Sequence, residues 1–138
     1  MTHFSYEDNK KIVRRYYEKL WNHWEFNLID EIMAADFVFR GSLGATTRRR
    51  EEFLSYMKTV RAAFPDFHNQ IEELIAEDDK VAARLIYRGT HRGELFGIAP
   101  TNKPIEYAGV AIFKFNKGVM IEGWVLGDLI NLKKQLEV

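Results

Sequence analysis

The hydrophobic period of this chain changes once, near Pro65, and that change restricts the possible folds more than any other feature. Before it, apolar residues recur at helical spacing. Ser5 is placed to cap a helix through "YEDNKKIVRRYYEKLWNHW", with Glu7 and Asp8 adding negative charge to its first turn. Val13, Tyr16 or Tyr17, Leu20, Trp21 and Trp24 then share one broad apolar face. Asn27 is placed to cap a short second helix, "LIDEIMA", and "DFVFRG" reads as a brief strand. A further helix in "RRREEFLSYMKTVRAAF" aligns Phe53, Met57, Val60 and Phe64. Pro65 ends it, because proline lacks an N–H and restricts the residue before it.

From Phe67 onward the pattern is that of strands. "FHNQIEELIAE", "KVAARLIYRGTHRG", "PIEYAGVAIFKF" and "VMIEGWVLGD" are separated by an Asp-Asp turn, a Gly/Pro loop and "NKG". "DLINLKKQLEV" reads as a closing helix. Helices followed by hairpin-linked strands predict an α+β fold, a curved antiparallel sheet wrapped over N-terminal helices. One domain over residues 1–138 is expected, with no repeat or linker inside it. Hydrophobic residues make up 46% and aromatic ones 14%, which is ample material for one core. A sheet curled over helices makes a cone, and whatever its lining does not fill becomes a ligand cavity.

Charge and cysteine content narrow the function. Twenty basic and twenty acidic side chains cancel, so no global field favours nucleic acid, and the run Arg48-Arg49-Arg50 reads as a solvated face. The absence of cysteine removes disulfides, thiolate metal sites and thiol nucleophiles together. No zinc spacing, phosphate loop, dinucleotide fingerprint or serine elbow occurs, so no metal or cofactor is expected. "MTHFSYEDNKK" lacks the order of a signal peptide and no apolar run is long enough to span a bilayer; a cytoplasmic protein without a membrane partner is expected.

Strand alternation selects the candidate site. In "VAARLIYRGTH", Val81, Ala83, Leu85, Tyr87, Gly89 and His91 share one face, which brings His91 inward behind Tyr87. In the last strand, Met120, Glu122, Trp124, Leu126 and Asp128 fall together, opposite Ile121, Gly123, Val125 and Gly127. Asp128 has two readings: a cap for the closing helix, or a carboxylate in an apolar pocket suited to proton transfer. His91 likewise reads as a histidine satisfied by loop groups or as an acid/base partner of Asp128. Tyr16, Tyr17, Trp21, Trp24 and Phe39 read as pocket wall or as core. His68 is expected to be exposed, and His3 and His23 lie near a chain end and a helix end.

The pieces "RRYYEKLWN", "DEIMAADFV", "FPDFH", "DDKVAAR", "GTHRGELFGIAPT" and "GWVLGDLINLKKQL", in this order, resemble the SnoaL-like polyketide cyclases. These proteins, also called ester cyclases, belong to the nuclear transport factor 2-like superfamily. The resemblance implies a cone-shaped domain, often a homodimer, that closes a ring on a small apolar or carbonyl-containing substrate by intramolecular aldol chemistry without metal or cofactor. It implies Asp128 as general acid/base and His91 as a pocket histidine. With these go Tyr17, Trp21, Phe39, Arg40, Tyr87, Phe96 and Trp124 as substrate-binding residues. Leu95, Phe96 and Ile98 would cover the mouth. Arg40 departs from the histidine common after "DFVF", and Asn102 from the glycine of "PTGK"; a guanidinium at the rim would favour an anionic substrate or pair with a carboxylate. Isomerase or epoxide-hydrolase-like activity, or a non-catalytic binding or dimerisation module, are the alternatives on the same fold.

Overall fold

The structure is a computed structural model that describes residues 5–137, so His3 lies outside the described residues. Helix α1, Tyr6–Arg15, starts at Ser5, whose hydroxyl accepts from the Asp8 N–H while the Asp8 carboxylate accepts from the Ser5 N–H. It runs on into a π-helical segment, Tyr16–Trp21. Helix α2 is Leu28–Ile32, without a side-chain cap from Asn27, and strand β1 begins directly after it, Met33–Arg40. A three-residue strand β2, Thr46–Arg48, precedes helix α3, Arg49–Ala63, which stops two residues before Pro65. Strands β3, His68–Glu77, β4, Lys80–Thr90, β5, Pro104–Asn116, and β6, Val119–Gly127, follow, then helix α4, Leu129–Leu136.

The six strands form one curved, unclosed sheet in the order β2-β1-β6-β5-β4-β3. Neighbours are antiparallel except β1 and β6, which pair in parallel. The first long strand thus lies beside the last, and helix α3, between β1 and β3, is carried across the inner face.

Alternation on the central strands matches the sequence pattern. Val81, Ala83, Leu85 and Tyr87 of β4 are buried, as are Ile105, Tyr107, Ala111, Phe113 and Phe115 of β5. They pack on Tyr16, Leu20, Phe53, Met57 and Phe64 from the helical layer. Each such large side chain contributes roughly 1.5–3 kcal/mol by leaving water.

Strand β6 differs from its sequence pattern. The pairs Lys114↔Glu122 and Phe115↔Met120 leave Ile121 as an extra residue. This bulge shifts the alternation by one, so Met120, Gly123 and Val125 face inward while Trp124 and Leu126 face out. Trp124 is 43% exposed and does not line the interior.

Candidate functional site

The polar positions of the inner face divide into two groups, one around His91 and one around an aromatic cavity. His91 is fully buried, as strand parity predicts, with its ring 6.0 Å from that of Phe64. Its Nδ1 accepts the Thr101 N–H at 3.2 Å and lies 3.1 Å from Thr101 Oγ1. A nitrogen that accepts cannot also carry the proton, so the ring is the neutral tautomer protonated on Nε2. The His91 N–H donates to the Lys103 carbonyl at 2.9 Å and the Asn102 N–H to the His91 carbonyl at 2.8 Å. His91 therefore anchors the far end of the Gly/Pro loop.

That loop is itself ordered by short-range bonds. Leu95 and Ile98 exchange hydrogen bonds of 3.1 and 2.8 Å across a turn in which Phe96 and Gly97 both have positive φ, 53° and 76°. Asn102 also has positive φ, 59°, which accounts for the interchange of asparagine and glycine at that position. Gly93 is required by packing: a Cβ there would lie 2.1 Å from the Ala62 carbonyl oxygen. Phe96, expected in the pocket, is 39% exposed and sits under the Lys133 ammonium at 4.8 Å, covering α4 instead.

Asp128 stands at the exposed end of β6. Its Oδ1 accepts the Asn131 N–H at 3.1 Å, the capping geometry, and its own N–H donates to the Ala108 carbonyl at 2.9 Å. No hydrogen bond or ion pair joins Asp128 to His91 among the described residues, so the structure does not bring the two together. Gly127 beside it packs on the Ser42 carbonyl and the Tyr107 ring.

The cavity lies under the middle of the sheet. The π-helical segment contributes Tyr16, Tyr17 and Trp21, held by the Asn22 N–H on the Tyr17 carbonyl at 2.9 Å, five residues back. Phe39 of β1, Tyr56 and Val60 of α3, and Tyr87 of β4 form further walls, with Ser42, Phe67, Asn69 and Val125. Its volume is about 20 Å³, room for a group the size of a water molecule. No charged side chain lines it.

Of the residues expected here, Tyr17, Trp21, Phe39 and Tyr87 are present. Arg40 and Trp124 are not. Arg40 has the opposite parity to Phe39; its Nη1 donates to the Val125 carbonyl and its guanidinium lies 5.8 Å from the Trp124 ring centre. Its charge is held at the outer side of the sheet. Tyr56 was legible in principle, since it falls between Phe53 and Val60 at helical spacing, whereas nothing in "RGSLG" marks Ser42.

The phenols at this site are unequally bonded. Tyr107 Oη is 3.0 Å from Ser42 Oγ, and Tyr56 Oη accepts the Leu43 N–H at 3.5 Å. Tyr17 and Tyr87, both 2% exposed, make no hydrogen bond through Oη. Burial pushes both hydroxyls well above the usual phenol range, and the neighbouring phenols, Tyr87 beside Tyr17 and Tyr107 beside Tyr87, push them further up. Both are therefore neutral donors at physiological pH.

A curved, unclosed sheet packed on helices thus holds an uncharged aromatic cavity. The family model of the SnoaL-like polyketide cyclases matches residues 11–136, and the chain belongs to that family. No curated protein matches in sequence. Among solved structures, IdmH of Streptomyces antibioticus, a candidate polyketide cyclase, is 28% identical with a TM-score of 0.81, over 94% of this chain and 99% of that one. AclR of Streptomyces galilaeus, a candidate hydroxylase, is 26% identical with a TM-score of 0.82, over 96% and 86%. A candidate SnoaL-like polyketide cyclase from Jannaschia, 18% identical with a TM-score of 0.88 over 99% and 97%, shares the fold. Among the described residues no helix is long and apolar enough to cross a membrane.

Proposed function

We propose that this protein is a cofactor-independent cyclase that closes a ring on a small, uncharged, hydrophobic carbonyl substrate. The observation that carries this reading is the cavity lined by aromatic and neutral polar side chains without any charge, in a chain of this family. The proposed step is an intramolecular aldol addition. A carboxylate removes a proton from a carbon between two carbonyls, that carbon bonds to a distant carbonyl carbon, and the proton returns to the new alkoxide. Asp128 is the proposed base. Only its Oδ1 is used in capping, and Gly127 ties its position to Ser42 in the cavity wall. His91 enters as a positioning residue, through Thr101 and the loop.

Asp128→Asn separates the two roles, because asparagine caps a helix as well as aspartate does but cannot take the proton. Turnover of a short poly-β-ketone is expected to fall about 100-fold or more with Tm unchanged. Wild-type turnover in this variant removes the proposal.

One observation favours a second reading, a non-catalytic ligand-binding or dimerisation scaffold: about 20 Å³ is far smaller than a polyketide, so entry requires the walls to move. Thermal stabilisation by lipophilic carbonyl compounds without turnover would support it. Under either reading we propose that a second copy covers the outer face. Val110 and Leu126 are paired there, as are Ile112 and Trp124, and Arg84, Glu73 and Glu122 supply both signs of charge beside them. An epoxide-hydrolase-like mechanism is not favoured, because it needs an arginine bridging two carboxylates, and Arg84 pairs with Glu73 on the outer surface.

A further inference from the structure

The unequal bonding of the phenols separates structural hydroxyls from those left for a ligand. A buried hydroxyl without a hydrogen bond costs stability, and natural cores rarely keep one unless something else depends on it. Phenylalanine would fill the same space at either position. Tyr107 has its Ser42 and Tyr56 its Leu43, yet among the described residues Tyr17 and Tyr87 have no polar neighbour for their hydroxyls except each other, and that approach is longer than a hydrogen bond. The scaffold fixes both rings firmly. Tyr17 lies edge-on to Tyr16 at 4.7 Å and to Phe113 at 5.9 Å. Tyr87 stacks on Phe67 at 5.7 Å and meets Tyr107 at a tilt at 4.9 Å. Gly109 makes room for it, since a Cβ there would lie 2.4 Å from the Tyr87 ring and 3.0 Å from its Oη.

We infer that Tyr17 and Tyr87 form a two-donor clamp for one carbonyl oxygen of the substrate, holding the enolate oxyanion that forms when the neighbouring carbon loses its proton. The inference rests on the cyclase reading and names what that reading leaves open, the electrophilic half of the site. The cavity volume suits one oxygen-sized group rather than a whole substrate, so the clamped carbonyl enters while the rest of the chain lies towards the rim. Two neutral donors in an uncharged, buried setting stabilise a developing oxyanion more than they would in water. The substrate class follows: an enolisable ketone or thioester whose reacting carbonyl sits at an unbranched, uncharged end.

The test uses para-nitrophenolate as the enolate mimic, with binding read from its visible absorbance. Phe67→Ala serves as a second background that gives the ring more room. Tyr17→Phe and Tyr87→Phe are each expected to weaken binding about 10-fold or more, the effect of losing one hydrogen bond to a charged oxygen. Both are also expected to keep or raise Tm, since a buried unbonded hydroxyl is removed, while Tyr107→Phe lowers it by a few degrees through loss of the Ser42 bond. Unchanged phenolate affinity in both variants overturns the clamp. So does a fall in Tm matching that of Tyr107→Phe, which would make the hydroxyls structural, and so does absence of binding in both wild type and Phe67→Ala. The cyclase reading fails separately. If phenolate binding depends on both tyrosines but Asp128→Asn turns over like wild type, the clamp stands and the base is wrong; the converse result removes the clamp alone.

Discussion

The two faces of the sheet are built on the same six strands and do opposite things with their aromatic residues. On the inner face, Tyr87, Tyr107 and Phe113 interlock with Tyr16, Tyr17 and Phe53, and no charged side chain enters. On the outer face, Trp124 lies half-exposed beneath Arg40, and charge pairs such as Arg84–Glu73 and Arg88–Glu106 run alongside. The difference shows that aromatic content alone does not mark a pocket. What marks it is burial together with hydroxyls that the fold leaves unbonded.

The sharpest way to break this contrast is truncation. Phe113→Ala on the inner face is expected to cost about 3–5 kcal/mol, because the cavity it leaves cannot collapse against the helical layer. Trp124→Ala should cost well under that, and urea melts of both variants give the ratio. Equal losses would mean that the outer face is covered as completely as the inner one.

Next in size is the response to alkali. Burial holds Tyr16, Tyr17, Tyr56, Tyr87 and Tyr107 above the ordinary phenol value of 10.0. A raised folded value means that the folded state binds more protons than the unfolded one above about pH 10, so stability is full below that pH and falls as pH rises. Ultraviolet phenolate absorbance from these five residues should therefore appear together with loss of circular dichroism. Phenolate formation well before unfolding would show that the cavity admits hydroxide and water freely.

Acid should have a smaller effect, part of it at the turn after α3 where Asp66 meets Thr90. Burial raises the Asp66 carboxyl, but its bonds from the Thr90 hydroxyl and N–H, both 2.7 Å, outweigh that and hold it below 3.8. A depressed folded value means stability that is present above about pH 4 and lost as pH falls through the folded value. Asp66→Asn should thus lower Tm slightly at neutral pH and not at all in strong acid. A Tm difference that does not change with pH would mean that the ionised form is not what matters.

The smallest effect on stability, and the largest on mass, belongs to Leu126→Glu. It lies on the outer face at 51% exposure, so the folded protomer should lose roughly 0.5 kcal/mol or less. A dimer through this face should dissociate, as read by sedimentation. An unchanged mass would locate any association elsewhere.

Legibility from the sequence was uneven for identifiable reasons. Strand β4 alternates without interruption from Val81, so the burial of Tyr87 and His91 could be read by counting. Strand β6 could not be read that way, because the bulge at Ile121 is a pairing irregularity set by β5, and it turned Trp124 and Leu126 away from the interior. Strand β2 is three residues long with no alternation to detect. The cap reading of Asp128 was available from "GDLINL", since capping is local chemistry; the absence of a contact with His91 was not.

The amino-acid sequence alone determined the order of the long elements, the α+β class, the family and the inward direction of Tyr87 and His91. Each rests on periodicity or on local backbone chemistry that neighbouring residues settle among themselves. Only the tertiary structure decided that β1 pairs with β6 in parallel, that the loop around "GTHRGELFGIAPTNK" is anchored by His91 on Thr101, and that Tyr17 and Tyr87 meet with free hydroxyls. Seventy positions separate those two tyrosines along the chain, by subtraction of 17 from 87, and whether a hydroxyl finds a partner depends on side chains from six different elements. No local rule reaches that far, because hydrogen-bond satisfaction is a property of the assembled interior.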